Sequence, residues 1–170
     1  MLPKPHRSAK TSDDRRASIN RLIGELSTEL ENNLAQSDAA ISAVDTIDGP
    51  LDQALQELIA SPSITDSQKD AAAQQLGALQ EFLKHSTSVE LGALKAYRLQ
   101  QTVQGYLRSD INIVTAAKPG YRAVCESLRA AIHSAVPKSK HLEERLENVF
   151  AMKAELENLI DAKEFALPPS

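Results

Sequence analysis

The sequence predicts an all-α protein: a five- or six-helix antiparallel bundle with a long N-terminal helix. Three observations carry that expectation. Apolar residues recur at intervals of three and four over most of the chain, which lines them along one face of a helix. Ala, Leu, Gln and Glu are abundant, while aromatic residues are limited to three Phe and three Tyr with no Trp, so the composition favours helix and the core must be aliphatic. The internal prolines, Pro50, Pro62, Pro119 and Pro137, fall at breaks in the apolar rhythm. Proline lacks an amide donor and clashes with the preceding turn, so each marks a helix boundary.

Residues 1–12, basic and polar with Pro3 and Pro5, read as a disordered tail ahead of a single helical domain over residues 13–167. The first helix starts at Asp13 or Asp14 and runs to Asp45, with Ile19, Leu22, Ile23, Leu26, Leu30, Leu34, Ile41 and Val44 on its apolar face. Asp48-Gly49-Pro50 is the turn after it. A short second helix carries Leu51, Ala54, Leu55, Leu58 and Ile59 and stops at Ser61-Pro62. Thr65 and Gln68 have the spacing of a capping box, in which the threonine oxygen and the glutamine amide satisfy free amides at a helix start. The third helix follows, with Ala72, Leu76, Leu79, Phe82 and Leu83, and a kink or short break is expected near Ser86, where Thr87 and Glu90 repeat the capping spacing. A long helix from Leu91 through Leu94, Leu99, Val103, Leu107, Ile111 and Val114 continues to about Ala117 and ends at Lys118-Pro119-Gly120. Tyr121 to Ala135 is the next helix, on Val124, Leu128, Ala131 and Ile132. The last begins at Ser139 and carries Leu142, Leu146, Val149, Leu156 and Ile160, a heptad-like seam interrupted at Lys153. Short connectors between such helices imply antiparallel neighbours.

A chain of 170 residues can bury about 70% of the surface its unfolded form exposes, so it needs neither disulfide nor metal for stability. Cys125 is the only cysteine, which excludes a disulfide-stapled scaffold. The first residues lack the apolar core of a signal peptide, and no apolar run approaches the ~20 residues that span a bilayer, so a cytoplasmic location is expected, with export by a route lacking a cleaved signal left open.

The charge is sorted along the chain. Nine carboxylates and no base lie between Leu22 and Gln68 (Glu25, Glu29, Glu31, Asp38, Asp45, Asp48, Asp52, Glu57 and Asp66), whereas Lys69 to Lys140 holds ten bases against five acids. Either the acidic arm docks on the basic body of its own molecule, or one charged surface is kept for a partner. The net charge of -4 argues against general affinity for nucleic acid, which depends on clustered Lys and Arg.

No constellation for catalysis is visible. Glu81 with His85, and His141 with Glu144, stand one turn apart, but the Glu-x-x-His pattern of di-metal bundles does not occur, and these pairs read as solvated surface charges. Cys125 and His133 share a helical face about 12 Å apart, too far for a direct hydrogen bond, and Cys125 reads as a small core residue. No phosphate-binding Gly-rich loop, Gly-x-Ser-x-Gly elbow or Cys-x-x-Cys is present. Neither enzymatic activity nor a cofactor is expected. Arg15-Arg16-Ala17-Ser18-Ile19 resembles the substrate motif of basophilic kinases, which makes Ser18 a candidate phosphorylation site; the other reading is an N-cap serine behind a basic tail.

All three tyrosines lie in an arginine-rich stretch, and Tyr97, Arg98, Tyr106, Arg108, Tyr121 and Arg122 are the candidate partner-binding residues, because tyrosine and arginine often dominate interface energies. Alternatively the tyrosines supply core bulk while the arginines face the acidic helix. The expected function is a non-catalytic helical module, an adaptor, regulator, assembly subunit or exported effector, binding a protein partner, with self-association possible in principle. A nucleic-acid-binding helical protein using residues 69–140 is one alternative, and an amphipathic coat on a lipid or granule surface is another.

Overall fold

A computed structural model describes residues 7–109 and 112–165. The protein is all-α, with six helices and one small two-stranded sheet among the described residues. In chain order these are α1 (Arg7–Ala35), β1 (Ala40–Ser42), a π-helical turn (Val44–Asp48), α2 (Gly49–Ala60), α3 (Asp66–Ser86), β2 (Glu90–Gly92), α4 (Ala93–Ser109), a 3-10 turn (Thr115–Ala117), α5 (Lys118–Ala135) and α6 (Pro137–Phe165). They form two compact units: Met1–Asn33 with Lys138–Ser170, and the intervening Leu34–Pro137.

The terminal unit pairs α1 with α6. The Arg16 guanidinium meets the Glu157 carboxylate, with Nε 3.0 Å from Oε1 and Nη2 donating to Oε2 at 3.0 Å. Because the N-terminal part of α1 meets the C-terminal part of α6, the two helices run antiparallel. Leu26 and Leu30 of α1 and Leu142, Leu146 and Val149 of α6 are buried, as the apolar spacing requires. α1 begins before Asp13, so residues 7–12 are helical where a disordered tail was expected; Met1 to His6 lie outside the described residues, as does Leu167-Pro168-Pro169-Ser170.

In the central unit the expected long first helix stops at Ala35 rather than Asp45. Ile41, placed on its apolar face by spacing, instead sits in β1, opposite Leu91 of β2, with Ala40 opposite Gly92 and Ser42 opposite Glu90. Both Ile41 and Leu91 are buried. Alternation in a strand and a three-residue helical step coincide over so short a stretch, which is why the periodicity misreads it. Gly49-Pro50 is not a turn either. The Gly49 amide donates to the Val44 carbonyl, closing a π-type turn, and the proline sits in the first turn of α2, where its missing amide costs no helical bond. Pro119 occupies the same place in α5.

The capping box at the start of α3 is formed: Thr65 N donates to Gln68 Oε1 at 3.2 Å and Gln68 N to Thr65 Oγ1 at 3.3 Å. The break near Ser86 is also present, but Thr87 caps nothing downstream; its hydroxyl donates back to the Leu83 carbonyl at 2.8 Å and the chain extends into β2. α4 ends at Ser109 instead of near Ala117. α5 packs on α4 and on α2, and its Val124, Leu128 and Ile132 are fully buried along with Leu51, Leu76, Leu83 and Val103. Gly120 lies where an added Cβ would come within 3.1 Å of Leu76 Cδ1 and closer still to Cδ2, so the absent side chain lets the first turn of α5 approach α3.

Candidate functional site

A cleft lies beside that close approach. Ala78, Leu79 and Phe82 from α3, Tyr106 and Ser109 from α4, Asn112 and Ile113 from the following segment, and Tyr121 from α5 line a volume of about 370 Å³. Phe82 and Tyr106 meet edge to face, with ring centroids 6.4 Å apart and planes at 79°, the arrangement that sets a positive ring edge against a negative face. Each remains about two-fifths exposed, at 41% and 43%, whereas Tyr121 is 8% exposed. Burial, and secondarily the neighbouring Tyr106, raise the Tyr121 hydroxyl above the usual tyrosine pKa, so it stays a neutral phenol at physiological pH.

One side chain holds the wall formed by Asn112 and Ile113. Gln75 Nε2 donates to the Asn112 carbonyl, and the Val114 amide donates to Gln75 Oε1 at 2.8 Å. An amide offers a donor and an acceptor on one rigid plane, so a single glutamine can secure two backbone groups of an irregular segment. Gln75 therefore holds one wall of the cleft.

Of the six residues singled out from sequence, Tyr106 and Tyr121 share this cleft and Tyr97 does not. Nine residues separate Tyr97 from Tyr106 on α4, about half a circle at 100° per residue, so they stand on opposite edges of the face that buries Ala96, Leu99 and Val103. Arg98, Arg108 and Arg122 are exposed. Within Leu34–Pro137, no ion pair among the described residues joins them to Asp38, Asp45, Asp48, Asp52, Glu57 or Asp66. The sequence reading took Phe82 only as a core position of α3; its rarity in a chain with three Phe was the available signal.

Ser18 is exposed in the interior of α1, well past Arg7, and is not an N-cap. A phosphate there would lack the free amides of a helix start. Cys125 is buried, its thiol donating to the Gln100 carbonyl at 3.8 Å, and burial with a smaller effect from Glu126 pushes its pKa to about 11. It is a protonated core residue at neutral pH rather than a thiolate nucleophile. Beside it the Gln100 side-chain oxygen is buried with no partner among the described residues. His85 and Glu81 lie 3.8 Å apart, both largely exposed, and His141 and Glu144 are exposed. Among the described residues no three His, Cys, Asp or Glu side chains gather closely enough to hold a metal, and no helix is long and apolar enough to cross a membrane. Comparison with family models, with curated proteins and with solved structures finds no match.

Proposed function

We propose that this chain works without catalysis, as a helical protein-interaction module whose cleft between α3, α4 and α5 receives an apolar side chain of a protein partner. The observation that carries this reading is the Phe82–Tyr106 pair. Two of the six aromatic rings of the chain are held half-exposed in a fixed mutual geometry above a buried third, Tyr121. Rings already ordered by one another lose little freedom when a partner covers them, and such rigid aromatic contacts concentrate binding energy. The described lining carries no lysine or arginine, so the cleft offers apolar contact with the exposed Ser109 and Asn112 as polar positions beside it. That chemistry favours a protein partner over a nucleic acid, which would be held by cations.

The test is selection of ligands from a displayed random-peptide library on the full chain. Enriched peptides should carry a large apolar anchor, and Tyr106→Ala or Phe82→Ala should weaken them by about 10- to 100-fold while helical circular dichroism is unchanged. Charge reversal at Arg98, Arg108 and Arg122 separates the two surfaces. Binding that survives both aromatic substitutions but is lost in the triple variant moves the site to the arginines and refutes the cleft, as does a selection that enriches nothing.

A further inference from the structure

A second surface lies on the terminal unit and is independent of the cleft read above as the partner site. Ser18, with Asp14, Arg15 and Ile19, lines the α1 side of a groove whose α6 side carries Met152, Leu156 and Leu159. This end of the helix pair is loosely held. Over residues 12–25 and 150–163 no side chain is fully buried, and Ile19, Leu22, Ile23, Leu156 and Ile160 are only half-buried; the packed seam starts at Leu26 on α1 and stops at Val149 on α6. The Arg16–Glu157 ion pair ties the two helices there, with side chains 38% and 40% exposed. A segment with so little buried apolar area opens locally at far lower cost than the whole fold.

We propose that Ser18 is a phosphorylation site for an arginine-directed protein kinase, and that the docking of α1 on α6 gates it. Such kinases read a substrate as an extended segment, with sites for arginines two and three residues before the serine and an apolar site for the residue after it. Arg15-Arg16-Ala17-Ser18-Ile19 supplies each of these groups. In the folded pair the segment is helical, Arg16 is engaged by Glu157, and Ile19 is half-buried in the groove, so backbone and side chains are withheld although Ser18 itself is exposed. The kinase therefore meets its motif only in the fraction of chains whose α1 end has opened, and the rate follows that fraction. In the transfer, Ser18 Oγ bonds to the γ-phosphorus of a nucleoside triphosphate as the bond from that phosphorus to the β,γ-bridging oxygen breaks. The nucleoside diphosphate leaves, and the hydroxyl proton passes to the kinase's catalytic carboxylate. When the helix re-forms, Arg15 and Arg21, both exposed and each three residues from Ser18, flank the phosphate. The added charge of about -1.5 to -2 turns the mouth of an apolar groove anionic.

The test incubates the full chain with the catalytic domain of an arginine-directed kinase and ATP and follows phosphate at each position by mass spectrometry. A peptide of residues 12–24 is the ungated reference. The native chain should take up phosphate at Ser18 at least about 10-fold more slowly than the peptide, and Ser18→Ala should remove that signal. Glu157→Ala frees Arg16 and should raise the rate about 2- to 5-fold, the modest gain expected from losing a partly exposed ion pair. Leu156→Ala, which alters neither charge nor motif, should raise it too, with helical circular dichroism unchanged in both variants. Chains that stay unmodified at Ser18 in all of the native, Glu157→Ala and Leu156→Ala forms while the peptide is modified overturn the proposal. So does a native chain modified as fast as the peptide, or a rate that neither substitution moves.

Discussion

Replacing Gly120 by alanine should reverse in sign according to what stands at position 76. In the native chain the new methyl would lie 3.1 Å from Leu76 Cδ1 and 3.3 Å from Cγ, with Cδ2 nearer still, and Leu76 is 1% exposed, with close-packed neighbours limiting its escape. Overpacking of this kind costs about 1–3 kcal/mol. Against it stands a gain of about 1 kcal/mol for alanine over glycine within a helix. The clash outweighs the gain, leaving a net loss of up to about 2 kcal/mol. Leu76→Ala alone should cost about 2–5 kcal/mol through the cavity it leaves. On that background the clash is gone, so Gly120→Ala should stabilise by up to about 1 kcal/mol, a coupling of about 1–3 kcal/mol between the two positions. Urea unfolding followed by tyrosine fluorescence measures this in the right place: Tyr97, Tyr106 and Tyr121 all lie in Leu34–Pro137 and the chain has no Trp. Additive effects of the two substitutions, or a stabilising Gly120→Ala in the native background, would refute the view that glycine is there to admit Leu76.

Alkaline pH should weaken the central unit. Cys125 is raised from 9.0 to about 11, and Tyr121 is raised as well, so folding favours their protonated forms; the stabilisation is complete below pH 9 and is lost as pH climbs through the folded values. The thiol part amounts to roughly 3 kcal/mol, and urea midpoints between pH 8 and about pH 11 should fall less steeply for Cys125→Ala; equal slopes would count against a buried, protonated thiol. Gln75→Leu should cost about 1–2 kcal/mol by stranding the Val114 amide and should speed hydrogen exchange at that amide; unchanged exchange would mean that Gln75 does not hold the wall of the cleft.

What was legible in the sequence was local. Thr65 and Gln68 declare a helix start because both partners of both hydrogen bonds lie within four residues, and the structure forms them. The prolines mark boundaries correctly, yet Pro50 and Pro119 turn out to open helices rather than to lie between them, because a residue lacking an amide fits a first turn as well as a break. The pairing of Ala40–Ser42 with Glu90–Gly92 was not legible, since three residues on each side carry too little pattern and the ladder forms only when distant segments are brought together. For the candidate site, the tyrosine-rich stretch was visible, but half a circle of helix divides Tyr97 from Tyr106, and Phe82 reaches the cleft from another helix altogether.

The order in which the terminal unit receives its pieces has a consequence during synthesis. Arg16 and Glu157 are separated by 141 positions, so α1 leaves the ribosome long before α6 exists. At roughly 5–20 residues per second, its greasy stripe waits many seconds for its mate. Over that interval Leu34–Pro137 can condense by itself, while Leu26 and Leu30 remain available to chaperones or to a neighbouring nascent chain.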